Sequence, residues 1–113
     1  MSKPGPVQCV VLREERDKED IWHLSAKLLD NGDLLIEGQD LGASVEKFFG
    51  YREYEWDWTV KAEHVPAFAA ALGATGEILP ILGEKFSGPN AAGLKPFLEE
   101  HGIPFEMWSR VGD

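Results

Sequence analysis

The stretch of residues 53–61 alternates strictly between aromatic or apolar and polar side chains. Tyr54, Trp56, Trp58 and Val60 occupy every second position, and acidic or other polar residues fill the gaps between them. Successive side chains of a strand point to opposite faces of its sheet, so this period of two predicts a β-strand with one aromatic face and one acidic face. The rest of the chain must then supply a layer that covers the aromatic face.

Residues 21–41 predict a β-hairpin whose register follows from burial. A two-residue Asn-Gly turn would place Leu28 opposite Leu35 and mix the apolar and polar faces. A three-residue loop instead places Leu28 opposite Leu34, which keeps the apolar residues of both strands on one face. We therefore predict the second register, with Gly32 in the left-handed conformation of a G1 bulge.

Shorter segments predict two further strands. Residues 7–12 form an apolar, β-branched run that is typical of a central strand, and the charged residues 13–20 predict a solvated strand end or connection. Residues 105–110 alternate again and predict a final strand. Residues 1–6 contain two prolines and a glycine and predict a loose N-terminal arm.

The second half of the chain carries three apolar stripes with helical spacing. The stripes are Val65, Phe68, Ala69 and Leu72; Ile78, Leu82 and Phe86; and Leu94, Phe97 and Leu98. Gly102 followed by Ile103 and Pro104 predicts a Schellman motif at the end of the third helix. Ser44 predicts the N-cap of a very short additional helix that ends at Gly50.

Strands followed by a run of helices predict the α+β class. We expect a single domain spanning residues 1–113, in which an antiparallel sheet of about four to five strands has three helices packed on one face. Three motifs support one domain by their likeness to known sequences. The chain resembles a family of short uncharacterised bacterial proteins at three places. These are residues 37–42 (EGQDLG), residues 45–50 (VEKFFG) with Tyr54 and Glu55 (YE), and residues 98–104 (LEEHGIP). The resemblance implies no particular activity.

The net charge of the chain indicates which kind of partner it would bind. The chain has 20 acidic and 11 basic residues, a formal net charge of −9, which disfavours nucleic acid and favours a basic protein as partner. The alternative is that the charge only keeps the domain in solution. No apolar run has membrane-spanning length, no signal segment is visible, and Cys9 is the only cysteine. We therefore expect a cytoplasmic protein without a membrane partner.

The sequence contains no recognisable catalytic or metal-binding motif. His23, His64, His101 and Cys9 lack metal-ligand spacing, so no metal or cofactor is predicted. Nucleophile elbow, zincin, phosphate-loop and CxxC motifs are also absent, which favours a non-enzymatic protein. An enzyme that uses carboxylates without a motif stays an alternative.

The acidic face of the strand at residues 53–61 is the candidate binding surface. Glu53, Glu55 and Asp57 project the same way, and Glu37 is expected on the same surface across the sheet. Trp108 points outward if the final strand keeps its alternation, as suits a binding hot spot. We predict that these five residues bind a partner, in a protein of inhibitor or immunity type. The alternative is an exposed strand whose charges serve solvation.

Trp22, Trp56 and Trp58 allow a second functional hypothesis. Aromatic clusters often line ligand pockets, so the chain could instead bind a small molecule, or act as an enzyme, between sheet and helices. Their alternation with charged residues favours a different interpretation, in which the three rings are core.

Overall fold

The computed structural model describes residues 6–17, 20–42, 53–74 and 76–112, which form an antiparallel sheet with helices packed against it. The strands are β1 (Pro6–Asp17), β2 (Asp20–Leu29), β3 (Leu34–Leu41), β4 (Glu53–Val60) and β5 (Glu106–Gly112). Each strand pairs with the next in the order β1-β2-β3-β4-β5. This part of the chain therefore confirms the predicted α+β class with a five-stranded sheet.

Three α-helices follow β4 and correspond to the three apolar stripes. They are α1 (Val65–Leu72), α2 (Ile78–Lys85) and α3 (Leu94–Glu100), with 3-10 turns at Ala62–His64 and Gly88–Gly93. Each buries residues of its stripe, and α2 packs against β1 and β2. In the described part of the chain no helix is both long and apolar enough to cross a membrane.

The end of α3 has the predicted Schellman geometry. Ile103 N–H donates to the Leu98 carbonyl at 2.9 Å, Gly102 N–H donates to the Glu99 carbonyl at 3.2 Å, and Gly102 has a φ of 66°. These bonds satisfy carbonyls that the last helical turn leaves without partners. Ile103 is buried, so the same turn also brings an apolar residue back onto the core.

The β2–β3 hairpin adopts the predicted register. Leu28 pairs with Leu34, and Gly32 has a φ of 91°. Leu29 closes the loop with two bonds: its N–H donates to the Asp33 carbonyl at 2.9 Å, and its carbonyl accepts from Gly32 N–H at 3.0 Å. Burial thus selected the pairing that keeps the apolar residues of both strands on one face.

Gly32→Val should lower the free energy of unfolding by about 1–2 kcal/mol, because a β-branched residue is strained at positive φ. An added Cβ would also lie 3.0 Å from the Ala62 Cβ. Chemical denaturation of both proteins measures the loss. Gly76→Val is the control, because a Cβ at Gly76 meets no atom within 4 Å. If Gly32→Val were as stable as the wild type, a side chain at position 32 would not be strained, and the prediction would be wrong.

β1 differs from its prediction in position and in length. It pairs only with β2 among the described strands and is therefore an edge strand, so the prediction of a central strand is wrong. It begins at Pro6, which the sequence assigned to the loose arm, and extends through the charged segment to Asp17. A register shift between Val11 and Arg13 accompanies the burial of Leu12, which is 2% exposed. The apolar residues of β1 thus pack under α2, and β1 does not need a strand on each side to bury them.

The core occupies the half of the sheet near the β2–β3 turn. Its sheet residues include Leu24, Ala26, Leu34, Ile36 and Val60, which pack with residues of all three helices. The interpretation of the three tryptophans as core is only partly correct. Trp22, Trp56 and Trp58 are half-buried, and the last two pack against the core from its margin. The predicted short helix at residues 44–50 lies outside the described residues.

Candidate functional site

The sheet face opposite the helices, here called the open face, carries the predicted binding residues. Glu37 on β3 pairs with Asp57 on β4, and Asp57 pairs with Trp108 on β5, so these three residues form one row across the sheet. The neighbouring row contains Glu55 opposite Arg110. Strand alternation sets the face of each residue, and the register sets the row.

Ion pairs and hydrogen bonds hold several side chains of the open face in place. Lys27 Nζ lies 2.7 Å from Glu37 Oε1, and Arg110 Nη2 lies 2.9 Å from Glu55 Oε2. Gln39 Nε2 donates to Glu53 Oε2 at 2.6 Å and to Glu55 Oε1 at 3.2 Å. Among the described residues, no basic side chain pairs with Glu53 or Asp57. Of these four carboxylates, Glu37 and Glu55 therefore have a basic partner, and Glu53 and Asp57 have none within the part of the chain that the structure describes.

Asp57 and Glu55 have pKa values that are shifted in opposite directions. Burial raises the pKa of Asp57, and the nearby Glu37 carboxylate raises it further. The pKa of Glu55 is lowered, chiefly by hydrogen bonding with the Glu53 carboxyl, while burial opposes the shift and Arg110 and Gln39 add to it. A raised carboxyl pKa means that the surroundings disfavour the anion. A cation placed beside Asp57 would therefore stabilise its anionic form.

Four of the five predicted binding residues line one shallow hollow of about 160 Å³ on the open face. The hollow is bordered by Glu37, Glu55, Asp57 and Trp108, and Gln39 links it to Glu53. Trp108 pairs with Asp57 and is 50% exposed, so it lies on the open face as the alternation predicts, although Met107, on the helix-facing side, is 62% exposed. Ligand pockets are usually about 300–1,000 Å³, so this hollow suits one inserted side chain better than a whole small molecule.

The helix-facing side of the sheet contains a second feature, an aromatic pair beside two cavities. The Trp56 and Trp58 rings stack with centroids 4.7 Å apart and planes at 27°. Gly38, opposite Trp56, leaves room for that ring, because a Cβ there would lie 2.1 Å from Trp56 Cζ2. Cavities of about 490 and 170 Å³ both border the pair.

The smaller cavity contains a cation and an anion that spacing alone did not reveal. The Arg13 guanidinium lies 5.6 Å from the Trp22 ring centroid and donates to Glu15 at 3.0 Å, while its Nε is buried without a hydrogen-bond partner. Burial raises the pKa of Asp40, and Arg13 opposes the shift. Arg13 directly follows the register shift in β1, and no feature of the sequence indicates that shift.

The described residues include no group of three or more histidine, cysteine, aspartate or glutamate side chains arranged to hold a metal ion. Cys9 is exposed, and the His101 ring lies against Phe97 with centroids 4.2 Å apart and planes tilted by 38°. His23 lies opposite Gln39 on the open face.

Comparison of the chain with models of protein families, with curated proteins and with solved structures gives no match. The resemblance to short bacterial proteins stays a prediction, and its middle motif, residues 45–50, lies outside the described residues.

Proposed function

We propose that this protein binds a basic protein partner through its open face, as an inhibitor- or immunity-type protein would. One observation carries the proposal: Glu37, Asp57 and Trp108 form a single row that lines a hollow sized for one side chain. A lysine or arginine of the partner would enter this hollow between the carboxylates and the indole.

The chemistry of the hollow favours a cation in two ways. A guanidinium or ammonium group is attracted to the face of an indole ring and to a carboxylate, and both are present here. A cation beside Asp57 would also stabilise the anion that burial and Glu37 disfavour. Binding would therefore relieve an unfavourable interaction of the free protein.

The open face differs from a surface whose charges serve only solvation. Trp108 is 50% exposed beside the acidic row, and solvation gives no reason for a large aromatic side chain there. Lys27 and Arg110 already pair with Glu37 and Glu55 and hold these carboxylates in place. Aromatic anchors within a charged surround are typical of protein interfaces.

Reversing the acidic strand tests the proposal. The variant Glu53→Lys, Glu55→Lys and Asp57→Lys should lose partner binding by about a hundredfold or more, because like charges then face each other across the interface. The wild type, this variant and a control are used as baits in the native lysate at low and high salt. Affinity for each purified retained protein is then measured across a salt series, and melts confirm that all three baits are folded.

The control reverses Glu84, Glu99 and Glu100, which are exposed on α2 and α3 and change the net charge equally. A basic partner should be retained by the wild type and by the control, lost from the open-face variant and released by salt. Trp108→Ala should weaken the same partner at unchanged net charge. A partner retained equally by both charge variants would rule out docking through the open face, as would the absence of any salt-sensitive basic partner.

A further inference from the structure

The larger cavity on the helix-facing side of the sheet has the size of a small-molecule site. Its volume is about 490 Å³, within the range of known ligand pockets. Trp56 and Trp58 of β4 form one side, Met107 and Ser109 of β5 lie beside them, and Lys95 comes from α3. Trp108 borders this cavity as well as the hollow of the open face.

The tryptophan pair is an aromatic surface with a defined position. The two rings are half-buried and stacked, and Trp58 also meets Phe105 with centroids 6.2 Å apart. Trp56 occupies space that any side chain at position 38 would fill. A planar ring therefore finds a prearranged surface, while the Met107 thioether, 62% exposed, is a polarisable group suited to aromatic contact.

Lys95 supplies a positive charge at this cavity. It is half-buried at the cavity, and no carboxylate among the described residues pairs with it. Lys27 and Lys61, by contrast, both have carboxylate partners. Since the whole chain carries a net charge of −9, its overall field repels anions, and Lys95 is the local group that would select one.

We infer that this cavity binds a small planar aromatic molecule with a carboxylate group, its ring against Trp56 and Trp58 and its carboxylate on the Lys95 ammonium. The cavity lies on the helix-facing side of the sheet, whereas partner docking uses the open face, and the two sites share Trp56 and Trp108 as bordering residues. Ser109 adds a hydroxyl that is able to donate to the second carboxylate oxygen.

Titration calorimetry with naphthalene-2-carboxylate, and with 2-naphthamide as its neutral counterpart, tests the inference. The wild type should bind the carboxylate about tenfold more tightly than the amide, because a charge-assisted hydrogen bond forms only with the anion. Lys95→Gln should bind both probes with the weaker affinity. Lys95→Arg should retain the preference, and Lys85→Gln, which removes an exposed lysine of α2, should behave as the wild type.

Ser109→Phe locates the site, because the larger side chain should block both probes. Thermal melts of every variant confirm folding. If Lys95→Gln does not fold, Ser109→Phe provides the test, because probes that still bind the folded Ser109→Phe protein would contradict this site. Failure of the wild type to bind either probe, or equal affinity for carboxylate and amide, would overturn the inference. A preference that survives in Lys95→Gln would also overturn it, since another group would then hold the anion.

Discussion

Gly38→Ala should lower the free energy of unfolding by about 3 kcal/mol, at the upper end of ordinary overpacking costs. The added Cβ would lie within 2.3 Å of three atoms of the Trp56 indole, so the ring must leave its position. Because Trp56 stacks on Trp58, its displacement should also change the tryptophan fluorescence. Urea denaturation followed by fluorescence measures both effects in one experiment.

A double-mutant cycle with Trp56→Ala identifies the cause of that loss. In the Trp56→Ala background the ring is absent, so Gly38→Ala should be neutral or slightly stabilising, because alanine restricts the unfolded chain more than glycine does. The difference between the two backgrounds is the coupling free energy of residues 38 and 56. Equal losses in both backgrounds would show that the ring does not require Gly38.

Trp58→Ala should cost about 3 kcal/mol, near the lower limit for removing a large aromatic side chain from a core. The ring packs against the core and meets Trp56 and Phe105, yet it is half-buried and borders both cavities. Part of its surface is therefore already in contact with solvent, and part of the ordinary burial energy is missing. Thermal and urea denaturation give the value.

Phe68→Ala is the matched comparison, because Phe68 is 0% exposed. Its loss should be about 4 kcal/mol and should exceed that of Trp58→Ala. A Trp58→Ala protein as stable as the wild type would mean that this ring contributes nothing to folding and serves only as a ligand surface. A loss of stability larger than that of Phe68→Ala would show that Trp58 is buried more deeply than Phe68, not half-buried.

Local chemistry made several elements predictable. The hairpin register follows from the alternation of apolar residues, because a shift of one residue would expose the whole apolar set. The turn at Gly102 follows from a glycine, an apolar residue and a proline in succession. The outward direction of Trp108 follows from a period of two in a regular strand. Each of these inferences needs only residues that are neighbours in sequence or that face one another across one turn.

The candidate site on the open face was predictable as a set of residues but not as a shape. Alternation placed Glu53, Glu55 and Asp57 on one face of their strand. The strand order places β3 and β5 on either side of β4. Only this order brings Glu37, Asp57 and Trp108 into one row. The Arg110–Glu55 ion pair depends on the same order, whereas the Lys27–Glu37 pair joins the two strands of the predicted hairpin.

The sequence by itself determined the period, the turn and the face of each strand residue, because these depend on backbone geometry and on neighbouring side chains. Only the tertiary structure decided that β1 lies at an edge, that Trp56 and Trp58 are half-buried, and that Lys95 faces an aromatic cavity. These properties depend on where the helices lie on the sheet. An apolar residue under a helix and one at the margin of the core have the same sequence pattern, and only packing distinguishes them.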